Sequence, residues 1–375
     1  MVAERAVSLR NPFRCGGTEL PAPLLLSAKL LVLLVWRAGI GQSVPVPSNG
    51  HLPFLELLPA PPYVLALKAT LAVTALALLF NRRPRLCALV AGACVLGADL
   101  SSRAYFAYNR AFLGCVLIAI GLTEAGRRPW VVRLQIALVY FGAGFNKLTD
   151  VDWRSGRFMA VWMSRFCVQP GYAALSGALP DGWLSRAMSW ATIATELSIA
   201  VCFLVPRLHR VGIWLGLGLH TGLLVLTDRV FGVFFYAAPA SYLAFIEWPA
   251  MIPIWESGAS EGAKSLLRRL DLDGRLEWTT SGSPSESPPP WPFLRIRWGE
   301  RTREGLELVR TLLLATPLSF FGGFAVLTIP QPASIHFRKW IALAILIALS
   351  PPTAWLARRF VPRANSESET DPSPA

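Results

Sequence analysis

The chain has 375 residues, of which 53% are hydrophobic and only 16% charged. Soluble domains carry about 25% charged residues, so this balance excludes an ordinary soluble enzyme and points to a polytopic membrane protein. The net charge of +13 does not imply nucleic acid, because the Lys and Arg residues sit in short clusters between apolar runs, which is the positive-inside pattern.

Fourteen tryptophans suit an interfacial belt better than a soluble core. The six cysteines, Cys15, Cys87, Cys94, Cys115, Cys167 and Cys202, show no CxxC or zinc spacing. Neither a disulfide framework nor a metal site is expected. The first apolar run ends in Trp36-Arg37 without a small-residue cleavage site and reads as a retained helix.

A span needs about 20 mostly apolar residues. In chain order the candidates are 22–40, 62–80, 85–101, 104–122, 130–148, 187–205, 210–227, 230–248, 307–328 and 338–357. The expected fold is all-α: a transmembrane helix bundle of about 8–10 spans. The expected division is a cytoplasmic N-terminal segment (1–21), a transmembrane domain (22–250), a hydrophilic basic insertion (251–305), C-terminal transmembrane helices (306–358) and a disordered tail (359–375).

Within the insertion, 263–278 reads as an amphipathic basic helix on the inner leaflet, and the Ser/Pro-rich 279–292 as a linker. The helical part also faintly resembles the DCC family of thiol oxidoreductases. The cysteine motif that would carry that chemistry is absent.

Basic residues before the first span (Arg5, Arg10, Arg14) and after the second, fourth and sixth fall on one side if the N-terminus is cytoplasmic. The loop after Lys147 then lies outside. Its Arg154, Arg157 and Arg165 oppose that bias, so a structural role is expected for it.

Polar residues inside apolar runs are the functional candidates, because they are costly in a bilayer. On the fifth span Arg133, Tyr140 and Lys147 recur at seven-residue steps and share one helix face. Lys147 could equally snorkel to the headgroups, and Tyr140 could be a packing aromatic. Gly142 and Gly144 would let a helix or a flat ligand approach.

On the sixth span Ser189, Thr192 and Glu196 share a face, and Glu196 must be either protonated or paired with a cation. Lys147 is a candidate partner. His220 sits among two GxxxG spacings on the seventh span. Asp99 and Arg103 are four apart and are expected to pair, while Asn109 and Arg110 follow near the outer end of the fourth span.

The run YFGAGFNKLTDVDWRSG (140–156), followed by Glu196, Pro206-Arg207, Gly216 and His220, resembles the HTTM (horizontally transferred transmembrane) family over about residues 20–250. That family includes the vitamin K-dependent gamma-carboxylases. The resemblance implies an integral membrane enzyme, a quinone-dependent carboxylase or epoxidase, with Lys147 as catalytic base toward a vitamin K hydroquinone-like reduced quinone.

It further implies Asn109, Arg110, Tyr140, Asn146, Asp152, Trp153, Glu196 and His220 around the substrate, with no metal. An amine held in an apolar pocket is more easily kept neutral, as a general base requires. Asn109-Arg110 stands where the carboxylases have a histidine; these residues can hydrogen-bond or neutralise a bound anion but do not shuttle protons. The C-terminal portion reads as linker and helices rather than as a domain that grips a protein substrate, so any protein substrate is unknown.

The expected partners are the lipid bilayer and a prenylated quinone. The expected location is the cell membrane, multi-pass, with the site near the outer face. The alternative readings are a protein that binds or transports a lipid, quinone or small anion, or a structural membrane partner whose polar residues lock helices together.

Overall fold

The computed structural model describes residues 11–37, 40, 43–124, 127–167, 170–227, 233–246, 248, 252–255, 261–279, 295–298, 301–303, 312–314, 316–328, 340–341 and 343–344. The expected tail, most of the 279–292 linker, most of the 338–357 span and Arg5 and Arg10 lie outside them.

The described part is a helix bundle. Helix α1 (Ala22–Arg37) is followed by α2 (Ala60–Leu79), α3 (Pro84–Leu100), α4 (Tyr108–Leu122) and α5 (Trp130–Thr149). Two short helices, α6 (Val151–Ser155) and α7 (Arg157–Val161), lead through a π turn at Trp162–Cys167 into α8 (Pro170–Ala178). Then come α9 (Trp183–Leu204), α10 (His209–Thr227) and α11 (Phe234–Tyr242).

Among the described residues, three helices are long and apolar enough to cross a membrane: Ala60–Leu79, Trp183–Leu204 and His209–Leu226. Tyr108–Leu122 and Phe234–Phe245 are shorter apolar helices. At 1.5 Å per residue a 15-residue helix spans about 23 Å, less than the roughly 30 Å hydrocarbon core. Each of the first eight expected spans contains a helix, with ends displaced by a few residues, most at the eighth, where the helix is 9 residues long and Pro239 interrupts its ladder.

Why α1 is central follows from its sequence. LLLSAKLLVLLV is apolar on every side, and a helix of that kind has no face to offer water. Leu24 through Val32 are buried without a break, Ser27 and Lys29 among them. Helix α2 is the opposite case: it buries only Leu71, Ala75 and Leu78 and exposes Leu65, Val73 and Leu76, the pattern of a helix facing lipid. Pro61 and Pro62 open it and Pro84 opens α3, as suits a residue with no N–H to satisfy. Trp130 and Trp183, the first residues of α5 and α9, are exposed at helix ends, where interfacial tryptophans belong.

The 251–305 region holds structure that its composition hides. Strand β1 (Ile252–Trp255), helix α12 (Glu261–Leu270) and strand β2 (Leu276–Thr279) form a parallel βαβ unit. Strand β3 (Arg295–Trp298) pairs antiparallel with β1, and β4 (Arg301–Arg303) pairs antiparallel with β3, giving the order β2-β1-β3-β4. The amphipathic helix expected over 263–278 therefore stops at Leu270, and its last three residues are part of a strand instead. Asp271 explains the stop: its carboxylate accepts from the N–H groups of Arg275 and Leu276 and turns the chain into β2.

Asp273 then ties the sheet to the bundle. One carboxylate oxygen accepts from the Cys15 and Gly16 N–H groups at 2.8 and 3.1 Å, and the other from Arg275 at 2.7 Å. Lys29 donates to the Pro12 and Arg14 carbonyls, both at 2.6 Å, and Asn81 donates to Arg14 at 3.2 Å. Phe13 packs edge-on to Phe321 of the helix α13 (Pro317–Thr328). The N-terminal segment is thus clamped between α1, the sheet unit and the C-terminal helix.

Candidate functional site

Lys147 lies near the C-terminal end of α5, where α9 comes close. That approach depends on Gly144: a Cβ there would stand 2.9 Å from the Leu197 side chain and 3.3 Å from Glu196 Cβ. At Gly142 a Cβ would meet nothing within 4 Å. Of the two glycines expected to admit a neighbour, Gly144 admits α9 and Gly142 faces open space.

With the helices this close, Lys147 Nζ lies 2.8 Å from each Glu196 carboxylate oxygen and 3.4 Å from the Ala143 carbonyl. The Trp153 ring lies 5.1 Å from the same ammonium, within cation–π range. The pair is sheltered but not sealed, with side chains 20% and 11% exposed for Lys147 and Glu196. Ser189, two turns before Glu196 on the same face of α9, is buried, and its hydroxyl lacks a partner among the described residues.

The chain after α5 closes this end of the bundle. Asp150 caps α6 by accepting from the Asp152 N–H at 2.8 Å. Gly156 separates α6 from α7 at φ +82°, and a Cβ there would be 2.5 Å from Arg186 N. Glycine serves both the left-handed backbone and the close approach to α9. Trp153 stacks on Phe158 at 4.3 Å. Within this loop Arg154, Arg157 and Arg165 are exposed, and Arg157 forms a surface pair with Asp152 at 3.7 Å.

A second polar cluster sits deeper. The Tyr140 hydroxyl is 2.7 Å from His220 Nε2 and also bonds the Tyr242 hydroxyl. All three side chains are buried, and His220 Nδ1 has no partner among the described residues. Gly216 of α10 makes room for Tyr242, whose hydroxyl a Cβ would strike. Gly212 packs on Cys202 and Phe203, whereas Gly218 and Gly222 face open space. Only the first GxxxG spacing is therefore a packing motif among the described residues.

The sequence-predicted residues separate into groups. Lys147, Trp153 and Glu196 converge, and Tyr140 and His220 converge with each other. Asn146 and Asp152 are exposed. Asn109 lies in the first turn of α4, and its side-chain oxygen accepts from the neighbouring Arg110 N–H at 2.9 Å. Arg110 pairs with Asp99 at 3.1 Å and lies 3.9 Å over the Tyr105 ring. Asp99 thus pairs with Arg110 and not with Arg103, because the turn after α3 folds α4 back over the carboxylate, which also accepts from the Ala107 N–H.

Two residues went unnoticed in the sequence, Tyr242 and Lys29. Both had a signal, since each puts a polar atom inside an apolar run, where it must find a partner.

The bundle, its lipid-facing helices and these sheltered polar clusters define a helical integral membrane protein. Residues 127–248 match the model of the HTTM domain, as an HTTM-family membrane protein would. The match runs from just before α5 to just after α11. It includes Tyr140, Lys147, Trp153, Glu196, His220 and Tyr242 and leaves Asn109 and Arg110 outside. No curated protein and no solved structure matches the chain.

Proposed function

We propose that the HTTM-like part of the chain is a quinol-handling, carboxylase-like membrane enzyme in which Lys147 and Glu196 work as one acid–base unit. The observation that carries this reading is the pairing of Lys147 Nζ with both Glu196 oxygens at 2.8 Å beside the Trp153 ring, in a place that is sheltered yet open.

A lysine bonded to a carboxylate is an ammonium and has no lone pair to offer. Moving one proton from Nζ to the adjacent carboxylate frees that lone pair, and the neutral amine can then take a hydroxyl proton as a general base. Glu196 holds the transferred proton, so the pair keeps its total charge while Lys147 turns from donor to acceptor.

A reduced quinone would supply, when bound, an oxidisable aromatic diol. The residues present fit such a group: an acid–base pair for one hydroxyl, an aromatic wall at Trp153, and the unspent Ser189 hydroxyl on the same α9 face. With a cytoplasmic N-terminus the site lies near the outer face of the cell membrane, within reach of a prenylated ligand dissolved in lipid.

The bidentate pairing also favours a second reading, in which Lys147 and Glu196 only lock α5 to α9. Quinol turnover in membranes separates the two. The enzyme reading expects wild-type turnover above empty membranes, loss in Lys147→Ala, and no recovery in the swapped pair Lys147→Glu/Glu196→Lys, which restores the lock but displaces the amine. Equal turnover in wild type and Lys147→Ala removes the base. An inactive wild type with every quinol tested leaves the helix lock.

A further inference from the structure

Outside the HTTM match, a cavity of about 340 Å³ lies between the sheet unit and the chain that follows it. Its wall is aliphatic, with Leu267 and Leu270 of α12, Leu276 of β2, and Leu312 and Leu318 from the C-terminal side. The polar residues that interrupt it are mostly satisfied. Asp271 spends its carboxylate on the Arg275 and Leu276 N–H groups, and the Thr316 hydroxyl donates to the Leu312 carbonyl.

Arg275 is different. It is 8% exposed, lies 4.2 Å over the Trp248 ring, and gives Nη2 to Asp273 at 2.7 Å. Its Nη1 is buried without a partner among the described residues, and Arg275 lines the cavity. Asp273 does not bond Nη1: its Oδ1 accepts from the Cys15 and Gly16 N–H groups and its Oδ2 from Nη2. Among the described residues Arg14 and Arg275 share one carboxylate, Asp273, while Lys29 donates to the Pro12 and Arg14 carbonyls.

A buried guanidinium nitrogen with no acceptor is a costly arrangement, and a cavity of this size with a few polar groups is the usual form of a small-molecule site. Charge asks for an anion and the wall for a hydrocarbon chain. We propose that this cavity binds a long-chain fatty acid, with its alkyl chain among the leucines and its carboxylate on Arg275 Nη1. A small inorganic anion would satisfy the arginine but leave the aliphatic wall empty. A neutral alkyl chain would fill the wall and leave the arginine unpaired.

The test uses the full chain in nanodiscs of phosphatidylcholine, with empty nanodiscs as baseline and cis-parinaric acid as the fluorescent probe. The expected result is saturable probe binding that palmitate displaces, with octanoate and hexadecanol each at least tenfold weaker. Arg275→Gln should weaken binding at least tenfold, and Leu270→Trp, which fills the cavity and leaves the charges alone, should abolish it. Because Arg275 also holds Asp273, the melting of each variant is measured alongside. If Arg275→Gln does not fold, Leu270→Trp and the hexadecanol comparison decide. Binding no greater than to empty nanodiscs overturns the proposal, as does unchanged binding in Leu270→Trp. Displacement by inorganic phosphate as effective as by palmitate also overturns it and marks a small-anion site.

Discussion

Tyr140 and Lys147 lie two turns apart on one face of α5, yet they belong to different clusters. Tyr140 bonds His220 and Tyr242 from α10 and α11, and Lys147 bonds Glu196 from α9. Seven residues of helix put them about 10 Å apart along the axis. The neighbours of α5 change over that distance, so one polar stripe serves two purposes: an enclosed aromatic network and a half-open ion pair.

The ion pair predicts a measurable coupling. Removing one partner of a buried pair costs about 3–5 kcal/mol, and the partial exposure of both side chains here lowers that to about 2–3 kcal/mol. Lys147→Met and Glu196→Leu should each lower the melting temperature in detergent, and the double variant should recover most of the loss. Turnover should not recover with it. A double variant no more stable than the worse single would deny the coupling.

The α5–α9 approach predicts opposite outcomes at two nearby glycines. Gly142→Ala puts its methyl group in open space and gains helix propensity, up to about 1 kcal/mol of stability. Gly144→Val drives a branched side chain into Leu197 and Glu196 and should cost about 1–3 kcal/mol. Thermal unfolding of the two variants side by side checks this. Equal shifts would mean that the helices do not meet at Gly144.

Much of this was readable beforehand, and the exceptions share a cause. Spans appear in sequence because an apolar run has no other stable place, and the seven-residue step that aligned Tyr140 with Lys147 is local geometry. Glu196 could be named as a partner for Lys147 because a membrane carboxylate needs a cation.

What a local reading could not supply is pairing across long stretches of chain. Strands of three or four residues, such as β1 and β3 some 40 residues apart, carry no period of their own. Asp99 offered Arg103 at helical spacing, but the helix ends at Leu100, so that spacing had no helix to run along. Tyr242 looked like one more aromatic in an apolar run. Only the fold shows that its hydroxyl meets Tyr140.

That hydroxyl contact predicts a local sensitivity on α10. Gly216→Ala would push a methyl group into Tyr242, which is fully enclosed and has nowhere to move. A cost of about 1–3 kcal/mol is expected, whereas the same substitution at Gly218, like that at Gly142, meets nothing and gains up to about 1 kcal/mol of helix propensity. Tyr242→Phe removes the hydroxyl but leaves the ring, so combining it with Gly216→Ala should recover part of the loss. A melting series over the four variants decides; full additivity would place the two residues out of contact.

The last prediction concerns alkali and the clamp at the N-terminal segment. Burial pushes the Cys15 thiol up from 9.0 to about 12, with Asp273 adding to the rise and Lys29 and Arg275 opposing it. The folded state therefore holds this proton more tightly than the unfolded chain does. Between pH 9 and 12 unfolding releases it, so the contribution of Cys15 to stability is present below pH 9 and is lost as pH rises, at about 1.4 kcal/mol per pH unit.

Cys15→Ala lacks that loss. Its stability relative to wild type should thus improve from pH 8 to pH 10.5, even if the smaller side chain costs packing at neutral pH. Lys29, Arg14, Arg275 and Asp273 remain in both proteins, so the comparison reads the thiol. Parallel stability–pH curves would show that the thiol is not enclosed. Maleimide labelling gives an independent reading: thiolate is the reactive form, so Cys15 should label only after unfolding in detergent.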